Sequence, residues 1–115
     1  MSDSIILGKS MLFAIRIVKL FKYLREDKRE FIMSKQLLRS GTSVGANLRE
    51  AKYAQSRSDF ISKNSISLKE IAETQYWLEL LFMTEYLNQS EYESINADCN
   101  EIIKMLTSIV KSSKK

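Results

Sequence analysis

The sequence predicts an all-α protein, an antiparallel up-down-up-down four-helix bundle. Three observations carry this expectation. Proline is absent and only three glycines occur in 115 residues, so nothing in the composition interrupts long helices. Four stretches keep apolar residues at alternating spacings of three and four, which draws one buried stripe along a helix. Short polar stretches separate them, and short connections make successive helices antiparallel neighbours. The length suits one domain, 1–115, with helices expected at about 4–26, 30–54, 59–87 and 91–112.

In the first segment Ile6, Phe13, Ile17, Leu20, Phe21 and Leu24 share a face, flanked by Ala14 and Val18, while Arg16, Lys19 and Lys22 lie opposite. It ends in the charged run REDKRE at 25–30, which lacks both glycine and proline and so gives the first turn no sharp boundary. The second helix carries two series side by side. Leu37, Gly41, Val44, Leu48 and Ala51 form the apolar one; Gln36, Ser40, Ser43, Asn47 and Glu50 form a polar one about 100° away. Ser40, Gly41, Ser43, Gly45 and Ala46 are concentrated here, and the weak helix formers among them are tolerable where a neighbouring helix approaches closely.

Ser56 followed by Asp59, or Ser58 with Asp59 in the first turn, marks a helix start. In the third helix Phe60, Leu68, Ile71, Leu78 and Phe82 make a core stripe shared with Asn64, Ser67 and Gln75, whose polar groups need partners that the second helix's polar series could supply. Ile66, Trp77, Leu80 and Leu81 lie off that stripe beside Glu70, Glu73 and Thr84. A monomer rarely exposes such a group, so a subunit interface is expected there. Residues 88–90 make the third turn, with Ser90 and Glu93 spaced as a capping box, and Tyr92, Ile95, Cys99, Ile102, Leu106, Ile109 and Val110 continue as the fourth stripe.

Histidine is absent, which removes the commonest general base and the favoured zinc ligand. The single Cys99 falls in an apolar stripe and is expected to act as a small buried hydrophobe. No phosphate-cradling glycine loop, dinucleotide fingerprint, paired-cysteine set or nucleophile elbow occurs. Glu50, Glu70, Glu73 and Glu79 without histidine do not make a carboxylate-bridged metal bundle, so no metal and no cofactor is expected; Glu50, Glu70 or Glu73 is expected to pair with Arg39 or Arg49 or to cap buried hydroxyls. Neither a leader pattern nor an apolar window of membrane-spanning length is present, which makes a cytoplasmic location the expectation.

The net charge of +4 is unevenly distributed. Residues 1–69 carry 14 basic and 6 acidic side chains, 70–103 carry 8 acidic and no basic ones, and 104–115 carry 4 basic ones. In the expected topology one end gathers Lys52, Arg57, Lys63, Lys111, Lys114 and Lys115 against Asp3 and Asp59. Such an end either binds phosphate or is simply solvated.

The runs KQLLRSGTSVGANLREA at 35–51, FISKNSISLKEIAETQYWLELL at 60–81 and EIIKMLTSIVK at 101–111 resemble the four helix bundle family, the 23S ribosomal RNA intervening-sequence proteins. The most specific positions are Gln36, Arg39, Ser40, Ser43, Asn47 and Glu50, then Glu70, Glu73 and the run Tyr76, Trp77, Leu78; Leu48 and Arg49 stand where acidic or isoleucine variants are common in the family. The resemblance implies a bacterial up-down-up-down bundle that assembles into a cyclic homopentamer and has no enzymatic activity. Some members are encoded within intervening sequences of large-subunit ribosomal RNA genes. A related branch, the accessory variability determinants of diversity-generating retroelements, binds nucleic acid and a reverse transcriptase.

Together these readings lead to a non-enzymatic, oligomeric nucleic-acid-binding protein, with RNA the expected target. Arg16, Lys19, Lys22, Arg49, Lys52, Arg57 and Lys63 are the expected phosphate contacts. The alternative is a protein-interaction scaffold that docks a partner enzyme such as a reverse transcriptase.

Overall fold

The computed structural model describes residues 2–114, with side chains from Ile5 onward. Four helices follow one another: α1 (Ser2–Glu26), α2 (Met33–Lys52), α3 (Arg57–Met83) and α4 (Gln89–Ser113). Each packs against its neighbours in sequence, α1 and α4 close the bundle along a thinner contact, and the backbones of the diagonal pairs α1/α3 and α2/α4 do not approach each other. The body measures 44 × 21 × 19 Å, its long axis set by helices of 25–27 residues at 1.5 Å per residue.

Ile17, Leu37, Val44, Ile71, Leu78 and Cys99 are among the side chains wholly removed from solvent at the centre. On α3 the buried line is Asn64, Ser67, Ile71, Thr74, Leu78 and Leu81. This corrects two expectations. Phe60, Leu68 and Phe82 are half-buried at the edge of that line, and Leu81, expected at a subunit interface, is a core residue. The true line keeps spacings of three and four throughout; Asn64, Ser67, Ile71 and Leu78 belong to it as expected, and Thr74 takes the place expected for Gln75.

The helix ends follow from side chains that satisfy the free backbone groups. At the first turn Arg29 takes a left-handed φ of 57°, and the buried Glu30 turns inward. Its carboxylate accepts the N–H groups of Ile32, Met33 and Ser34 at 3.2, 3.1 and 2.7 Å, so α2 starts at Met33 and not at 30. Ser56 Oγ accepts from the Asp59 N–H at 3.0 Å, the start that the spacing predicts, and α3 begins at Arg57. It stops at Met83, short of 87, because Glu85 takes φ 70° and the Tyr86 N–H returns 2.9 Å to the Leu81 carbonyl. The capping box at α4 is Asn88 with Glu91, at 2.8 and 2.9 Å, and not Ser90 with Glu93; the same spacing occurs two residues earlier on a better capping residue.

Close approach explains one of the two glycines of α2 directly. A Cβ added to Gly41 would stand 2.8 Å from both Cγ atoms of Ile17, a β-branched and fully buried side chain with little rotamer freedom to yield. Gly41→Ala should therefore destabilise the fold by about 1–3 kcal/mol, read as a lower urea midpoint with an unchanged slope. An unchanged midpoint would show that the α1/α2 contact is loose at this point.

Candidate functional site

The family-like residues of α2 and α3 converge on one seam. Arg39 bridges two carboxylates: its Nη1 lies 3.2 Å from Glu70 Oε2, and its Nη2 pairs with Glu73. Glu73 Oε2 also accepts the Trp77 indole N–H at 2.9 Å. These donors, Arg39 first and Trp77 second, hold the Glu73 carboxyl below its ordinary 4.5, and the Glu73 bond raises Arg39. Beneath this clasp Thr74 Oγ1 sits 2.8 Å from Ser40 Oγ, both buried, and Ser67 Oγ donates to the Val44 carbonyl at 2.8 Å. At the lower end Lys63 pairs with Glu50 at 2.7 Å, which raises Lys63.

The polar series of α2 therefore meets α3 only in part. Ser43 and Asn47 bond within their own helix, to the carbonyls of Arg39 and Ser43. Asn64 bonds to the Phe60 carbonyl, while Gln75 faces α4 and donates to Asn96 and Asn100 at 2.9 and 2.8 Å. Gln36 is exposed. Glu70 and Glu73 are thus engaged by Arg39 and Trp77, and among the described residues no group of three or more potential metal-binding side chains is assembled. Burial pushes the Cys99 thiol up to about 12, which leaves it protonated and inert near neutrality.

The seven expected phosphate-binding residues do not form one patch. Arg16 is tied to Asp98 at 2.7 Å and to Ser94 on α4, and Lys63 to Glu50. Arg57 donates to the Ser113 carbonyl at 2.6 Å. Lys19 and Lys22 are exposed on α1, and Arg49 and Lys52 are exposed at the far end of α2, with Lys52 over the Tyr53 ring. These four make no ion pair with any described residue. Of the expected basic end, Lys115 and the side chain of Asp3 lie outside the described residues.

Apolar exposure is concentrated elsewhere than expected. Ile5, Met11, Leu12 and Ile15 face outward on α1, with Leu12 66% exposed, and Gly8 lies among them with nothing within 4 Å of its Cβ position. On the outer side of α3, Ile66 is exposed and Trp77 and Leu80 are half-buried, but Tyr76 and Met83 extend the surface further. At the α1–α2 turn Phe31 and Ile32 are exposed beside Arg25 and Lys28. The α1 surface was hidden in the sequence because that helix is apolar on two sides, and a single-stripe reading absorbs only one.

By fold the protein is thus an all-α four-helix bundle, distinguished by an Arg39–Glu70–Glu73 clasp across α2 and α3. A family model described as 23S rRNA-intervening sequence protein matches residues 2–108, and the chain belongs to that family. It is also similar to a crystal structure of a protein with unknown function from the S23 ribosomal protein family of Bacteroides thetaiotaomicron VPI-5482. The two are 59% identical with a TM-score of 0.95, over 96% of this chain and 99% of that one. No curated protein matches the chain. Among the described residues no helix is long and apolar enough to cross a membrane.

The clasp has a pH signature. Because Glu73 is lowered in the folded state, its contribution is present above the ordinary value of 4.5 and is lost as pH falls through the folded value. Both side chains are partly exposed, so the effect should be on the order of 1 kcal/mol or less. Glu73→Gln should lower the melting temperature at pH 7 and flatten the decline in stability as pH falls below 4.5. A parallel acid profile in the variant would place the clasp outside the stability balance.

Proposed function

We propose that the protein is a non-enzymatic, ring-forming nucleic-acid-binding bundle of the 23S rRNA-intervening sequence type, acting in the cytoplasm on RNA. The observation that carries the reading is the pair of apolar outer faces on α1 and α3. These helices are diagonal in the bundle, so Ile5, Met11, Leu12 and Ile15 point away from Ile66, Tyr76 and Met83. A two-fold contact through either face leaves the other in water. A head-to-tail contact, α1 of one copy on α3 of the next, covers both, and gives a ring where the rotation between copies closes. Gly8 supports the same arrangement: within one chain it costs α1 about 0.5–1 kcal/mol without any packing return, whereas a neighbouring helix could approach closely over it.

Five copies, the number that the family resemblance implies, would multiply the net charge of +4 to about +20 and repeat the unpaired Lys19, Lys22, Arg49 and Lys52 around the assembly. The engagement of Glu70 and Glu73 by Arg39 favours a structural role for the carboxylates over a catalytic one.

The ring is checked by mass in solution. The native chain should sediment at about five times 13.3 kDa, and Leu12→Glu should shift it towards the single-chain mass with its helical circular dichroism retained. A native protein that sediments as a monomer at micromolar concentration defeats the ring. The nucleic-acid reading is checked by fluorescence anisotropy with a structured RNA. Affinity should fall steeply with salt, and alanine at Lys19, Lys22, Arg49 or Lys52 should reduce the logarithmic salt slope by about 1 each. Equal retention of RNA and an uncharged polymer at low salt would rule it out; capture of a protein partner that survives neutralising all four would favour a scaffold.

A further inference from the structure

The turn between α1 and α2 presents more apolar surface than its folding requires. The left-handed Arg29 and the inward Glu30, whose carboxylate accepts three successive N–H groups, fix residues 29–34 in one conformation. The clamp leaves Phe31 44% and Ile32 78% exposed. Phe31 is also held from behind. The guanidinium carbon of Arg25 lies 5.2 Å from its ring centroid and 5.3 Å from that of Phe21, a phenyl–guanidinium–phenyl stack with Phe31 on the solvent side.

The surroundings are basic. Lys22, Lys28, Arg29 and Lys35 are exposed at or beside the turn, and with Arg25 they make no ion pair with any described residue. The turn's own exposed carboxylates are Glu26 and Asp27. The α3–α4 connection adds Glu85 and Glu91, which share a cleft with Tyr23 and Lys28. Glu85 and Glu91 thus border the Lys28 side, and on the Phe21–Arg25–Phe31 side Glu26, one turn after Lys22, stands among a larger number of cations.

We infer that this turn is a stacking platform for single-stranded RNA: an unpaired base lies on the exposed face of Phe31, and Lys22, Arg29 and Lys35 take the flanking phosphates. The inference rests on the nucleic-acid reading above and gives it a contact surface of which the seven basic residues of the sequence reading include only Lys22. An acidic protein segment would pair with the cations but offers a flat π surface for Phe31 only where an aromatic residue happens to fall among its carboxylates. A nucleic acid offers both, at the spacing of one base per phosphate. Because every α1–α2 turn lies at the same end of its bundle, a ring would repeat the platform around one rim and let one strand engage several copies.

The test compares a labelled 20-nucleotide oligouridine, the same strand paired with its complement, and a polyglutamate of equal length. All are titrated against the native protein, Phe31→Ala and Phe31→Trp at fixed salt. Oligouridine should bind more tightly than the duplex. Phe31→Ala should lose roughly 5- to 100-fold in affinity for it, with oligomeric mass and melting temperature unchanged. Phe31→Trp should retain binding, and oligouridine should quench the new indole beyond any change at Trp77. Native binding to RNA with Phe31→Ala unaltered overturns the platform and leaves the nucleic-acid reading standing. Preference for the duplex also overturns it, as does polyglutamate bound as tightly as oligouridine, the latter pointing to an acidic protein partner. A native protein that binds neither RNA form fails the nucleic-acid reading itself.

Discussion

The architecture depends on α2 being gripped from two sides at once. Towards α1, Gly41 has no side chain because the branched Ile17 already occupies that volume. Towards α3, contact is made by hydroxyls and backbone: Ser40 against Thr74, and Ser67 on the Val44 carbonyl. Larger side chains would separate the helices, and alanine in place of Ser40 would leave Thr74 without its partner across the interface. A stretch poor in helix propensity is stable here because packing on both neighbours outweighs it.

From that grip follows the distribution of the remaining surfaces. With α2 and α4 as the shared neighbours, α1 and α3 are placed diagonally, and each retains an outward face. Both faces are partly apolar, so the bundle satisfies its interior and leaves two surfaces pointing in opposite directions. The Arg39 clasp lies at the edge of the α2/α3 seam, where it fixes Glu73 and, through it, the indole of Trp77. The ordered side of α3 is thereby set next to its outward face.

The fold class, the Ser56 cap that starts α3 and the pairing of Arg39 with glutamates were legible in the sequence, since each depends on local spacing or on complementary charge. Less legible were features in which polar residues do a core residue's work. Asn64 and Ser67 fall on the core stripe that the spacing predicts for α3, where they bond to the Phe60 and Val44 carbonyls, but Thr74 does not; it lies on the buried line because Ser40 of α2 brings a hydroxyl opposite it. Leu81 was assigned to the outside, the stripe being drawn through Phe60, Leu68 and Phe82. The outward apolar residues of α1 were passed over because a helix apolar on two sides gives no periodic contrast to read. The charged run at 25–30 gave no hint that one of its acids, Glu30, turns inward to cap a helix while the neighbouring Phe31 turns out.

By itself the sequence determined the four helices, their antiparallel order, a chain without histidine chemistry, and the membership of α2 and α3 in a recognisable pattern. These depend on periodicity and residue type, which are properties of the chain read along its length. Only the tertiary structure decided which cations remain unpaired, which apolar residues remain uncovered and which way the α1–α2 turn faces. Each of these depends on what a neighbouring helix brings opposite a side chain: Asp98 and Ser94 occupy Arg16, Glu50 occupies Lys63, and nothing in the described fold covers Leu12 or Ile32.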